Sequence, residues 1–116
     1  MTVLSDVSAR SFDPSAMPTV TMVGGGQLAR MMAPPAIDLG LPLRLLADAP
    51  GVSAAQVISE HAVGDYRDLD VLREIATGAA VVTFDHEHVP TAHLRALAAE
   101  GIAVRPGADA LEHAQD

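Results

Sequence analysis

Two short stretches of this 116-residue sequence carry groups that could do chemistry. In the first, Gly24-Gly25-Gly26-Gln27 follows the apolar run Thr19 to Val23 and opens a helical pattern. A glycine turn between a strand and a helix lets backbone N–H groups approach an anionic ligand at the positive end of the helix dipole. Gly24, Gly26 and Ala29 fit the G-x-G-x-x-G/A spacing of a nucleotide-binding strand–helix unit. In the second, Asp85-His86-Glu87-His88 follows the apolar run Ala79 to Phe84. Read as an extended strand, His86 and His88 point to one side and Asp85 and Glu87 to the other. The two imidazoles could share a metal ion, but a closed site needs more ligands, and no His-x-x-His or Cys pair supplies them. Glu87 can accept hydrogen bonds from ribose hydroxyls or an amine, and Gln27 can both donate and accept.

The elements that must position these groups alternate between strand and helix. Strand one is expected at Thr19 to Val23. The helix that follows carries Leu28, Met31, Met32 and Leu39 on one face. Pro34 and Pro35 would remove hydrogen bonds from a helix interior, at ~3 kcal/mol or more each, so a break is expected near Ala33. A second piece should end at Gly40, in the left-handed position that closes helices. Strand two is expected at Leu41 to Ala47, a short helix at Ser53 to Ile58 and a short strand at His61 to Gly64. Asp68 should cap a helix to about Thr77 with Leu69, Leu72, Ile75 and Ala76 inward. Strand four, Ala79 to Phe84, reads as central. Thr91 should cap a helix with Leu94, Leu97 and Ala98 inward, followed by strand five at Ile102 to Val104 and another helix from Ala108.

This order predicts a Rossmann-like three-layer α/β/α fold with a mostly parallel sheet of about five strands. In such sheets ligands bind outside the carboxyl ends of the strands, where the strand order reverses. Both motifs sit at carboxyl ends, and they face one crevice if strands one and four are neighbours. Residues 1–17 mix Ser, Asp, Arg and Pro without period and read as a flexible tail, leaving 18–116 as the domain.

Composition narrows the function. The formal charge is −8, from 15 acids against 7 bases, and there is no Cys. An acidic chain without a basic run is poorly suited to nucleic acid or an anionic membrane. No apolar run approaches the ~20 residues that span a bilayer. The absence of Cys suits a reducing cytoplasm.

One reading is a dinucleotide domain of an oxidoreductase, with Asp48, 24 positions beyond Gly24, as the ribose-binding acid. Against it, a nicotinamide enzyme needs a catalytic domain, which these 116 residues are not expected to supply, and Asp48 before Ala-Pro-Gly also reads as a turn residue. A non-catalytic regulatory or oligomerisation module is a further alternative.

The segments Val23-Gly24-Gly25-Gly26-Gln27-Leu28-Ala29-Arg30-Met31 and Thr83-Phe84-Asp85-His86-Glu87-His88-Val89-Pro90 together resemble the amino-terminal, pre-ATP-grasp domain of the 5-(carboxyamino)imidazole ribonucleotide synthase family. The resemblance covers about Pro18 to Asp116. It implies an ATP-grasp ligase of purine biosynthesis, a cytoplasmic enzyme that forms dimers. ATP activates bicarbonate as carboxyphosphate, and the carboxyl group passes to the amine of 5-aminoimidazole ribonucleotide. It implies that Gly25, Gly26, Gln27 and Leu28 line the ribonucleotide site, with Glu87, His88 and Val89 approaching from strand four. ATP and Mg²⁺ are implied for a region beyond this stretch, so no catalytic, cofactor or metal residue is assigned here. The chain alone is expected to be inactive. His86 and His88 stand where the family commonly has an aromatic and an Asn, and Ala29 where Gly is commoner.

Overall fold

A computed structural model describes residues 18–115. The tail expected over 1–17 lies outside the described residues.

Four parallel strands form one sheet in the order β3-β2-β1-β4. They are β1 (Val20–Val23), β2 (Leu43–Ala47), β3 (His61–Val63) and β4 (Val81–Phe84). Val20 pairs with Leu43 on one side and Val81 on the other, so β1 is interior and neighbours β4. β4 is last in the four-strand order rather than at its centre, and only a single bridge flanks its far side. The fifth strand shrinks to a single parallel bridge between Val82 and Val104. Val82 donates its N–H to Ala103 and accepts from Arg105. Only one residue keeps strand pairing before Pro106, which has no N–H to offer a ladder.

The helices are α1 (Gln27–Met31), α2 (Ala33–Leu39), α3 (Leu69–Ala76), α4 (Thr91–Ala99) and α5 (Ala108–Gln115), with a 3₁₀ turn at Ala54–Gln56. The break expected at the two prolines falls at Met32, and Pro34 and Pro35 sit in the first turn of α2, where their missing N–H groups are not needed. Gly40 closes α2 at φ +71. Asp68 caps α3 by accepting from the Asp70 N–H at 2.9 Å. Thr91 instead begins α4, whose N-cap is Pro90, and Ala98 is exposed.

Successive side chains of a strand face opposite ways, and that alternation builds two cores. Val23, Leu46 and Val82 face Leu72, Ile75, Leu94, Leu97 and Leu111 from α3, α4 and α5. Met22, Leu45 and Ala47 face Ala29 of α1, Ala33 of α2, Ala54 of the 3₁₀ turn and Ile58 just beyond it. Helices therefore cover both faces, as the three-layer reading expects. Thr21, the one buried polar residue among those described, donates its hydroxyl to the Ile75 carbonyl at 3.2 Å. Arg44 clamps the same end of α3, donating to the Ile75 and Thr77 carbonyls.

Candidate functional site

The strand order reverses at β1, with β2 and β3 on one side and β4 on the other. Parallel strands end at the same edge of a sheet, so the segments after all four meet there. They enclose an open cleft of about 540 Å³. The β1–α1 turn contributes Gly24, Gly25, Gly26, Gln27 and Leu28 to its lining; β2 is followed by Asp48 and Ser53, β3 by Tyr66, and β4 by Asp85 and His86. The two motifs of the sequence thus share one crevice at the reversal point.

The glycine turn is already engaged by the protein itself. The Gly26 N–H donates to Asp85 Oδ2 at 3.2 Å. Gly24 has φ +116, and a Cβ there would lie 1.8 Å from Asp85 Oδ1. Its glycine is needed for both backbone conformation and room for the carboxylate. Gly25 is buried, and a Cβ there would lie 2.4 Å from Val52 Cγ2. The turn meant for an outside anion accommodates a side-chain carboxylate, and α1 beyond it is only five residues long.

Gln27 is exposed at the start of α1, and its Oε1 accepts from the Ser53 hydroxyl at 3.3 Å. Its carbonyl end is thereby turned towards the β2 side of the cleft. Arg30, one turn on, donates to the Ser53 carbonyl and to Gln56 Oε1. Leu28 is exposed as well.

After Phe84 the chain stops being a strand, so the alternation expected for residues 85–88 does not hold. Asp85 and His86 both line the cleft, whereas Glu87, His88 and Val89 are not in its lining. Glu87 and His88 are exposed, and the Val89 side chain is fully buried in the core beneath α3 and α4. The His88 N–H donates to His86 Nδ1 at 3.1 Å, and the two rings stack at 5.3 Å between centroids. Tyr66 packs on His86 from the other loop at 4.8 Å, with the Arg67 guanidinium over its own ring at 5.4 Å. Burial holds the His86 pKa below the ordinary imidazole value; Asp85 and Asp48 pull it up and His88 pulls it down, without reversing the result.

Sequence reasoning passed over Tyr66, Ser53 and the inward turn of Asp85. Tyr66 left one signal, being the single Tyr of the chain two residues after Gly64. Ser53 left none.

The cleft lining carries two carboxylates, Asp48 and Asp85, the His86 imidazole, and no Arg or Lys. Among the described residues no group of three or more His, Asp or Glu is arranged to hold a metal ion, and all seven bases of the chain are Arg. The lining suits a ligand surface rich in hydroxyl, amine and planar ring atoms. No helix among the described residues is long and apolar enough to cross a membrane.

Residues 17–115 match the family model of the ribonucleotide synthetase preATP-grasp domain. The chain is 57% identical over 99 residues to an N5-carboxyaminoimidazole ribonucleotide synthase of Mycobacterium leprae, covering 85% of this chain and 23% of that protein. It is 52% identical over 100 residues to the same-named protein of Corynebacterium ammoniagenes, covering 86% and 24%. Among solved structures, the N5-carboxyaminoimidazole ribonucleotide synthetase of Thermus thermophilus aligns with a TM-score of 0.76 at 41% identity, over 84% of this chain and 26% of that one. The Aspergillus clavatus enzyme in complex with ADP and 5-aminoimidazole ribonucleotide aligns with a TM-score of 0.75 at 31% identity, over 84% and 26%. The chain thus spans about a quarter of the length of the relatives it matches.

Proposed function

The chain belongs to the ribonucleotide synthetase pre-ATP-grasp domain family, and from that premise we propose that it is the ribonucleotide-binding part of an ATP-dependent ligase of purine biosynthesis. The substrate is 5-aminoimidazole ribonucleotide, carboxylated on its exocyclic amine with bicarbonate. ATP and Mg²⁺ belong to the part of the relatives' length outside the stretch matched here. The enzyme works in the cytoplasm as a homodimer. The exposed apolar side chains Met31, Ile37 and Leu39 of α1 and α2 support self-association.

The observation that carries the reading is the meeting of the β1–α1 turn with the end of β4 in one cleft at the point of strand reversal. Gly25, Gly26, Gln27 and Leu28 form the ribonucleotide side of that cleft, with Gln27 as the polar contact. Glu87, His88 and Val89 follow directly after the cleft-lining Asp85 and His86; Glu87 accepts from ribose hydroxyls or the amine, and Val89 contributes through its main chain. Two carboxylates with no Arg or Lys beside them in the lining favour the ribose and heterocycle over the phosphate. They also weigh against a dinucleotide, whose pyrophosphate would meet the Asp85 carboxylate at the glycine turn.

Calorimetric titration of the chain with 5-aminoimidazole ribonucleotide and with NAD tests this. Saturable binding of the ribonucleotide, tighter than that of NAD, is expected. Tighter binding of NAD overturns the reading, and binding of neither favours a non-catalytic module.

A further inference from the structure

His86 lines the cleft, and its two ring nitrogens are in different situations. Nδ1 accepts from the His88 main-chain N–H at 3.1 Å. A nitrogen that accepts a hydrogen bond carries no proton, so the neutral ring must carry its proton on Nε2. Nε2 is bonded to Cδ2, and Cδ2 comes within 3.1 Å of the point a Gly24 Cβ would occupy, on the glycine-turn side of the ring. Among the described residues Nε2 makes no hydrogen bond. Tyr66, at 4.8 Å, and the His88 ring, at 5.3 Å, hold the imidazole in place. The ring is fixed, its tautomer is set by the backbone, and its remaining donor is left for whatever enters the cleft.

We propose that His86 is a specificity-determining residue of this cleft, whose Nε2–H donates to an oxygen or nitrogen lone pair on the ribose–heterocycle portion of the bound ribonucleotide. The role rests on the ribonucleotide reading given above. A Phe at this position would fill the same space and keep the contact with Tyr66, but it would offer no donor. Partial burial keeps the ring neutral near pH 7, against the upward pull of Asp85 and Asp48 and with the help of His88. Protonation of Nδ1 would cost the acceptor that orients the ring.

Two measurements test the role. The first is ¹⁵N NMR of the histidine side chains in the wild-type chain near pH 7.5, which reads the tautomer without any substitution. Nδ1 of His86 should resonate as the unprotonated nitrogen and Nε2 as the protonated one, and the reverse assignment overturns the proposal. The second is calorimetry with 5-aminoimidazole ribonucleotide on wild type, His86→Phe and His86→Gln, each checked for an unchanged melting temperature. Loss of one neutral hydrogen bond should weaken binding by His86→Phe about three- to tenfold. His86→Gln can place an amide N–H near the same point, so it should bind within about threefold of wild type. Wild-type binding with His86→Phe unaffected overturns this role alone. Absence of binding by the wild type overturns the ribonucleotide reading, and this role with it.

Discussion

Substituting Ala for Gly24 should be among the most damaging single-methyl changes in this chain, for two separable reasons. At φ +116 the backbone occupies a region that side chains rarely adopt, and forcing a Cβ there costs ~1–2 kcal/mol. The added carbon would also lie 1.8 Å from Asp85 Oδ1 and 2.7 Å from its Cγ, so the carboxylate must move away. That movement breaks the hydrogen bond from the Gly26 N–H, another ~1 kcal/mol for an exposed bond. The total is roughly 2–3 kcal/mol, which in a domain of this size lowers the melting temperature by roughly 8–20 °C. Urea unfolding followed by far-ultraviolet circular dichroism measures it, and a double-mutant cycle with Asp85→Ala divides it. With the carboxylate gone, only the backbone part should remain, leaving a coupling of about 1 kcal/mol. A Gly24→Ala cost below about 0.5 kcal/mol, or strict additivity with Asp85→Ala, would refute the claim that the turn is shaped around Asp85.

Three further outcomes follow from the same geometry. Gln27 is exposed and bonded only weakly to Ser53, so Gln27→Ala should leave stability within about 0.5 kcal/mol of wild type while weakening ribonucleotide binding severalfold; a large fall in melting temperature would make Gln27 structural. Leu97 is fully buried between α4 and the sheet, and Leu97→Ala should cost about 2–5 kcal/mol by urea unfolding, through lost burial and the cavity left behind. The His86 pKa is lower in the folded chain than in the unfolded one. The unfolded state therefore binds more protons below about pH 6.5, and stability falls with acidification from that pH towards the folded pKa. His86→Phe should flatten this part of a melting-temperature profile between about pH 5 and 8, and an unchanged profile would show that His86 does not cause it.

The parts of this molecule that were legible from the sequence are those with strong local rules. The prolines, Gly40 and the Asp68 cap placed the helix boundaries within a residue or two, because each acts through the backbone beside it. The glycine turn and the cluster after β4 could be brought into one crevice because an alternating strand–helix order leaves few topologies. What failed depended on distant or marginal contacts. Ile102 to Val104 looks like a strand, but only Val104 reaches a partner, Val82. Asp85 and His86 were separated by assuming an extended backbone that ends at Phe84. Tyr66 and Ser53 acquire a place in the cleft only when the ends of β3 and β2 are set beside β1, which no local pattern encodes.

The central claim is that the cleft between the β1–α1 turn and the end of β4 receives a ribonucleotide. Amide chemical-shift mapping of the ¹⁵N-labelled chain during titration with 5-aminoimidazole ribonucleotide tests it most directly. The largest shifts should fall on Gly25, Gly26, Gln27, Leu28 and Glu87 to Val89, saturating together. Saturable shifts centred instead on the hollow between β3 and α3, around Glu60, Val71 and Thr77, would contradict it.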